Sequence, residues 1–135
     1  MIGVVDTSAL IRLFIPDGPL PEGFDDFLRG VERSLNTALG PELLLAETAN
    51  VVNKKRKSGE LSKEESEQLL ADLLSMPIRL FPHRPLLPRA LELAGEHNLT
   101  VYDTLYLALA EDRGAVLYSA DQRLLKAAAQ LRVMP

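Results

Sequence analysis

Short apolar runs alternate with longer amphipathic stretches along the whole chain. The apolar runs are bounded by turn-forming residues and have the length of buried strands, which are predicted at residues 2–5, 35–39, 78–81 and 115–118. Between them, apolar residues recur at the spacing of one helix face. This second pattern predicts helices at residues 8–14, 24–33, 41–57, 62–75, 85–96, 100–113 and 122–130, and residues 132–134 are a candidate edge strand.

Several of these boundaries have a local chemical cause. Ser62 and Glu65 have the spacing of a capping box, in which each side chain bonds to the backbone N–H of the other residue. Pro41 suits the first turn of a helix, because its missing N–H would have no partner there. The segment 16–23 holds three prolines and two glycines, which predicts a loop between the first two helices.

The alternation of strands and helices predicts how the chain is organised. Strands joined by helices pair in parallel, and the helices then cover both faces of the sheet. The expected fold is a single α/β domain over residues 1–135, a three-layer α/β/α sandwich around a central, mainly parallel sheet. In such sheets ligands bind at the carboxyl ends of the strands.

Four acidic residues stand in apolar or turn-like surroundings. Asp6 follows the first predicted strand, and Asp121 follows the fourth. Asp103 opens an apolar helical stretch, and Glu47 is the only charge in the segment 44–51. The three aspartates could each serve a helix N-terminus, where Asp is a favoured residue. Glu47 has no such structural explanation, because an unpaired carboxylate in an apolar helix segment is costly.

Taken together, the four carboxylates predict a metal site. Two carboxylates about 4 Å apart repel each other by roughly 4 kcal/mol at an effective dielectric of about 20, so a divalent cation would stabilise the cluster. Oxygen ligands without Cys or His favour Mg²⁺ or Mn²⁺. Such an ion can orient a phosphodiester and activate water as the nucleophile.

Four segments, in their order along the chain, resemble the motifs of the PIN-domain nucleases and most closely those of the VapC ribonuclease toxins. They are VVDTSAL at 4–10, LLAETANVV at 44–52, VYDTLYLALA at 101–110 and SADQRL at 119–124. The resemblance implies a metal-dependent endoribonuclease with Asp6, Glu47, Asp103 and Asp121 as metal-binding and catalytic residues. It also implies an RNA substrate, a cognate antitoxin protein and a homodimer. The alternatives are an RNA-processing nuclease without an antitoxin and a non-catalytic PIN-fold binding module.

Hydroxyl groups lie beside two of the acids in sequence. Ser8 and Ser119 are each two residues from an acid and could support Asp6 and Asp121 as hydrogen-bond donors, although helix capping explains them equally well. Ser119 stands where the family more often has Thr, and the hydroxyl is kept. Arg123 stands where some related nucleases carry a further acid.

The charge balance bears on how RNA would be held. Fifteen Lys and Arg against nineteen Asp and Glu give a formal net charge of −4, which argues against binding to nucleic acid through bulk charge. Local basic groups must therefore hold any RNA. Asn50 and Lys54 follow Glu47 at successive helical turns and form a polar stripe that could lead RNA to the metal. Lys54 could equally be a solvated cation that complements the helix dipole.

The chain has features of a cytoplasmic protein. It contains no Cys, so disulfides and thiolate zinc sites are excluded and a reducing compartment is expected. No uncharged run has the length of a membrane span, and Asp6 interrupts the N-terminus too early for a signal peptide. The sequence therefore predicts a cytoplasmic protein with no membrane segment.

Overall fold

A computed structural model describes residues 1–134 of the chain. The strands in this part of the chain are β1 (Ile2–Val5), β2 (Thr37–Pro41), β3 (Ile78–Phe81) and β4 (Val116–Tyr118). The helices are α1 (Thr7–Arg12), α2 (Phe24–Glu32), α3 (Leu43–Lys57), α4 (Lys63–Leu74), α5 (Leu87–His97), α6 (Val101–Arg113) and α7 (Gln122–Leu131), and a 3₁₀ turn at Arg84–Leu86 precedes α5. None of these helices is long and apolar enough to cross a membrane.

The four strands form one parallel sheet in the order β3-β2-β1-β4. Successive side chains on a strand point to opposite faces, yet Val4 and Val5 of the central strand β1 are both fully buried. Helices therefore cover the sheet on both faces, and α6 packs directly against β1 and β2. The predicted α/β/α sandwich around a parallel sheet is confirmed.

Close packing around β1 requires a glycine at position 3. A Cβ atom on Gly3 would lie 2.6 Å from Cζ of Phe27 and 2.8 Å from Cε2 of Tyr118. These two rings stack on each other with their centroids 4.7 Å apart. The aromatic pair thus fills the space beside Gly3 and fixes the start of the strand that directly precedes Asp6.

The largest differences from the sequence-based predictions are at β2 and at the C-terminal segment 132–134. Strand β2 occupies residues 37–41 rather than 35–39, so Pro41 ends a strand instead of opening a helix. The ladder tolerates it because Glu42 N–H, one residue later, donates to the carbonyl of Phe81 at 2.9 Å. The predicted edge strand at 132–134 was wrong: Arg132 has a φ of 58° and ends α7 in the left-handed conformation. A bond from Leu117 N–H to the Val133 carbonyl still ties this segment to β4.

Candidate active site

The four carboxylates predicted from the sequence line one pocket of about 350 Å³, here called the acid pocket. Asp6 lies at the carboxyl end of β1, where its N–H donates to the Tyr118 carbonyl at the end of β4. Asp121 follows β4 by three residues and opens α7. Glu47 reaches the pocket from α3, and Asp103 reaches it from α6. The sheet edge and two helices therefore converge on one acidic cavity.

Asp6 is the most buried of the four acids and is 5% exposed. Its Oδ1 accepts hydrogen bonds from the Ala9 N–H at 2.9 Å and from the Ser8 hydroxyl at 2.7 Å. Its Oδ2 accepts a short hydrogen bond from the Ser119 hydroxyl. Burial raises the pKa of Asp6 to about 6, against the lowering effect of these three bonds, and the nearby charge of Asp121 raises it further.

Two serines join the ends of β1 and β4 beneath the pocket. Ser119 is fully buried, and besides donating to Asp6 its oxygen accepts the Asp121 N–H at 3.0 Å. Ser8 reaches the same segment, because its oxygen accepts the Ala120 N–H at 2.8 Å. Each hydroxyl thus fixes both a carboxylate and the turn after β4. This is the geometry expected of groups that hold the acids in place.

Glu47 is anchored by two hydroxyl groups from other elements. Its Oε1 accepts a hydrogen bond from Thr7 at 3.0 Å and one from the Tyr106 hydroxyl at 2.5 Å. Burial, and then the bond to Glu47, raise the pKa of the Tyr106 phenol above its ordinary value. Tyr106 is buried in the core, and it also lines the pocket, where its hydroxyl reaches Glu47. Its position one helical turn after Asp103 was the available signal.

The other two aspartates have different local roles. Asp121 caps α7, since its Oδ1 accepts the Arg123 N–H at 2.9 Å. Asp103 lies in the first turn of α6, where its N–H donates to the Thr100 hydroxyl at 3.1 Å. Within residues 1–134 the Asp103 carboxylate makes no hydrogen bond or ion pair. Of the four carboxylates it is therefore the one without a hydrogen-bond partner among the described residues, although a negative charge in the first turn of a helix is itself favourable.

The polar stripe on α3 lies beside the acid pocket rather than in it. The wall from this helix is formed by Glu47 and Val51, whereas Asn50 and Lys54 are exposed and do not line the cavity. One turn beyond Val51, Lys55 forms an ion pair with Asp17 at 2.9 Å, and Asp17 does line the cavity. RNA contact by Lys54 stays a prediction.

Arg12 and Asp17 are pocket residues that the sequence reasoning missed. Arg12 is the last residue of α1, and Asp17 lies in the loop that follows. No sequence motif identifies either residue as part of a site. Their places in the pocket depend on how α1 and the following loop pack in the folded chain. His83 does not line the acid pocket, and its Nε2 instead accepts the Leu43 N–H at the start of α3.

The donor set of the acid pocket fits a hard divalent cation. All the acidic groups offer oxygen, and neither His nor Cys lines the cavity. As the side chains stand, no three of the Asp, Glu and His residues in positions 1–134 are close enough together to hold a metal ion. Mg²⁺ commonly binds through one or two carboxylates and keeps several waters, so direct ligation by all four is not required.

Comparisons with known proteins place the chain in a family. The PIN domain family profile matches residues 3–130. Ribonuclease VapC3 of Pyrobaculum aerophilum is 32% identical over 125 residues, covering 90% of this chain and 90% of that protein. Ribonuclease VapC1 of Mycobacterium tuberculosis is 35% identical over 124 residues, covering 90% and 86%. The crystal structure of PAE2754 from Pyrobaculum aerophilum superposes with a TM-score of 0.70 at 28% identity, covering 94% of this chain and 79% of that one. This chain therefore belongs to the PIN domain family, and its relatives there include VapC ribonucleases.

Proposed function

We propose that this chain is a divalent-metal-dependent endoribonuclease that hydrolyses RNA phosphodiester bonds in its acid pocket. The observation that carries the proposal is the convergence of Asp6, Glu47, Asp103 and Asp121 on one cavity at the carboxyl edge of a PIN-domain sheet. The kinship with VapC ribonucleases supports the choice of RNA as substrate.

The four carboxylates would hold Mg²⁺ or Mn²⁺. A bound ion of this kind lowers the pKa of water, polarises the phosphate and neutralises charge on the leaving oxygen. Hydroxyl groups of the protein would hold two of these carboxylates in position for the ion. Ser8 and Ser119 fix both oxygens of Asp6, and Thr7 and Tyr106 fix one oxygen of Glu47. The unengaged carboxylate of Asp103 has its lone pairs available within the cavity, to accept hydrogen bonds from water there.

The kinship also supports the proposal that this chain is a toxin, that a cognate antitoxin protein inhibits it, and that it acts as a homodimer. The resemblance to the VapC toxins described above implies both the antitoxin and the dimer. Co-expression of this chain with any small protein encoded beside it, followed by size-exclusion chromatography, would test both expectations. Co-elution with loss of ribonuclease activity supports the antitoxin, and active enzyme at monomer mass in its absence contradicts the dimer.

The catalytic proposal is tested by cleavage of a fluorescent RNA in Mg²⁺, in Mn²⁺ and in excess chelator, with wild type and Asp121→Asn. Asn caps a helix about as well as Asp, so the variant should melt at the wild-type temperature or above it without metal. Its cleavage rate should fall by orders of magnitude, and its stabilisation by Mn²⁺ should be smaller because its affinity for the ion is weaker. Full wild-type activity in chelator, or full activity and metal stabilisation in Asp121→Asn, would contradict the assignment.

A further inference from the structure

A second cavity adjoins the acid pocket on the far side of Arg12. This side pocket has a volume of about 320 Å³ and lies between the loop residues 19–22 and the turn after β4, with Ser119, Gln122 and Leu125 in its wall. Arg12 lines both cavities. Ser119 also connects them, because its hydroxyl donates to Asp6 in the acid pocket. The two cavities are therefore neighbouring compartments that share a wall.

Arg12 is the one cationic residue that lines either cavity in residues 1–134. Its Nη1 donates to the Pro19 carbonyl at 2.9 Å, which leaves the other guanidinium N–H groups without a partner among the described residues. It forms no ion pair there, although Asp17 lines the same pocket and pairs instead with Lys55. The loop accommodates the guanidinium by having a glycine at position 18, where a Cβ would lie 2.9 Å from Arg12 Cζ.

An RNA strand needs such a cation at this place. The acid pocket presents four carboxylates and the carboxylate of Asp17, and the whole chain carries a formal charge of −4. A phosphate that approaches the cavity is therefore repelled unless a positive group faces it. The planar guanidinium of Arg12 offers paired N–H groups that match two phosphate oxygens, and it stays charged at every physiological pH.

The side pocket has the chemistry of a base-binding site. Its walls are mainly apolar, with Leu20, Tyr118, Leu125 and Met134 among them, and Gln122 supplies an amide that can both donate and accept hydrogen bonds. Its volume lies at the lower end of the range for small-ligand sites and suits a single nucleoside rather than a larger ligand. Proteins read single-stranded RNA by placing unstacked bases in pockets of this kind.

We propose that the side pocket binds the base of a nucleotide next to the cleaved phosphodiester, and that Arg12 binds a phosphate of the strand between the two pockets. The inference rests on the proposed ribonuclease function, to which it adds a site of nucleotide preference. The loop 19–22, the wall of α7 and Arg12 then determine which nucleotide lies beside the cut.

The test compares variants that change one compartment at a time. Leu125→Trp fills the side pocket, and Leu125 is outside the buried core, so the larger side chain should be tolerated. Leu91→Trp, at an exposed position of α5, is its matched control. Arg12→Ala removes the guanidinium and Arg12→Lys keeps its charge without its planar donors. Arg33→Ala is the control for loss of a guanidinium, because Arg33 is exposed and lines neither cavity.

Two measurements are made. Metal-free protein is titrated with AMP, GMP, CMP and UMP, and the backbone amide signals of Ala120 and Gln122 are followed by NMR. Cut ends from a randomised RNA digested in Mn²⁺ are then sequenced for each variant. Wild type and both controls should show saturable shifts for at least one nucleotide and the same nucleotide preference beside the cut. Leu125→Trp should lose both.

Arg12→Ala should weaken binding of a short RNA and reduce the slope of log affinity against log salt by about 0.7, the value for one phosphate contact to a single strand. Arg12→Lys should keep the slope and recover part of the affinity, which separates phosphate binding from support of the loop. If wild type cuts no RNA, the proposed function fails, and the nucleotide titration alone decides the side pocket. Absence of nucleotide shifts, or cutting by Leu125→Trp with the wild-type preference, would overturn the inference.

Discussion

Two of the four carboxylates also cap helices. Asp6 accepts the Ala9 N–H at the start of α1, and Asp121 accepts the Arg123 N–H at the start of α7. From sequence alone, capping and metal binding were competing explanations of these residues. In the folded protein the explanations are compatible, because a carboxylate can cap with one oxygen while the other faces the cavity. Substitution by Asn therefore separates the two roles, since Asn keeps the cap and removes the charge.

Tyr106 is predicted to position Glu47 for metal binding. Tyr106→Phe removes the 2.5 Å bond to Glu47 Oε1, leaves Thr7 as the remaining donor and preserves the ring that packs in the core. Groups that orient metal ligands typically contribute ten- to a hundredfold in affinity or activity, so the Mn²⁺ concentration for half-maximal cleavage should rise by about tenfold. Tyr102→Phe is the control, because Tyr102 lies on the same helix and is exposed. An unchanged Mn²⁺ dependence in Tyr106→Phe would return Tyr106 to a packing role.

Asp6 should destabilise the metal-free protein at neutral pH. The carboxyl has a pKa of about 6 when folded and the ordinary value of 3.8 when unfolded, so the folded state binds the proton more tightly. The stability that the Asp6 carboxyl gains from holding its proton in the folded state is fully present below about pH 4, and it is lost as the pH rises through about 6. Asp6→Asn cannot ionise, and it should raise the free energy of unfolding by up to about 3 kcal/mol at neutral pH.

Urea denaturation of the metal-free protein, at about pH 4 and about pH 7.5, measures this effect. The stabilisation by Asp6→Asn should be seen at the higher pH and be nearly absent at the lower one. An equal difference between the variant and wild type at both pH values would show that the carboxylate charge at this position has no energetic cost.

At the scale of elements, the sequence predicted β1, β4 and the long helices closely, because local signals mark their ends. The capping box of Ser62 and Glu65 is present with both reciprocal bonds, and α4 starts directly after Ser62. The end of β2 was not predictable in this way. Pro41 has the local chemistry of a helix start, but pairing with β3 made by residues some forty positions away decides its conformation.

The residues of the candidate site also differ in whether local sequence could predict them. The four acids could be selected because each lies in a local motif, and parallel strands implied that three of them would gather at one edge of the sheet. The position of Tyr106 one turn after Asp103 was a local signal, but its bond to Glu47 joins residues 59 positions apart and could not be predicted. The place of Arg12 in the pocket likewise depends on contacts between distant segments. Local sequence carries information about strand ends and caps, and it carries little about which side chains face one another across a cavity.

Strand β1 is predicted to be sensitive to a single methyl group. Gly3→Ala would place Cβ within 3 Å of the Phe27 and Tyr118 rings, so overpacking should lower the free energy of unfolding by about 1–3 kcal/mol. The nearest atoms belong to side chains, and Phe27→Leu in the same protein should restore part of the loss. Gly95→Ala is the control, because nothing lies within 4 Å of its Cβ in α5 and a helical Ala should add about 0.5–1 kcal/mol. Equal melting temperatures for Gly3→Ala and wild type would contradict the close packing.

At the scale of the whole molecule, the net negative charge of the chain opposes the binding of RNA, which is also negatively charged. An acidic protein attracts divalent cations and repels RNA, so a positive group beside the cation site is needed to offset the repulsion of the RNA. The acid pocket gathers carboxylates at the carboxyl edge of the sheet, and Arg12 supplies a cation at its wall. Under the proposed function, this arrangement would let a chain of net charge −4 hold a polyanion next to a metal ion. Salt should weaken RNA binding through these few local contacts.

The most direct test of the central claim is the rate of RNA cleavage by Asp103→Asn beside wild type, as a function of Mn²⁺ concentration. The Asp103 carboxylate has no hydrogen bond or ion pair in residues 1–134, so the substitution should leave the metal-free melting temperature unchanged. Any loss of activity then arises from the chemistry of the acid pocket. We expect wild type to cleave only with metal and Asp103→Asn to be slower by about a hundredfold or more, beyond the effect of removing a group that merely supports a ligand. Cleavage by wild type in chelator, or cleavage by Asp103→Asn at the wild-type rate and Mn²⁺ dependence, would contradict the account.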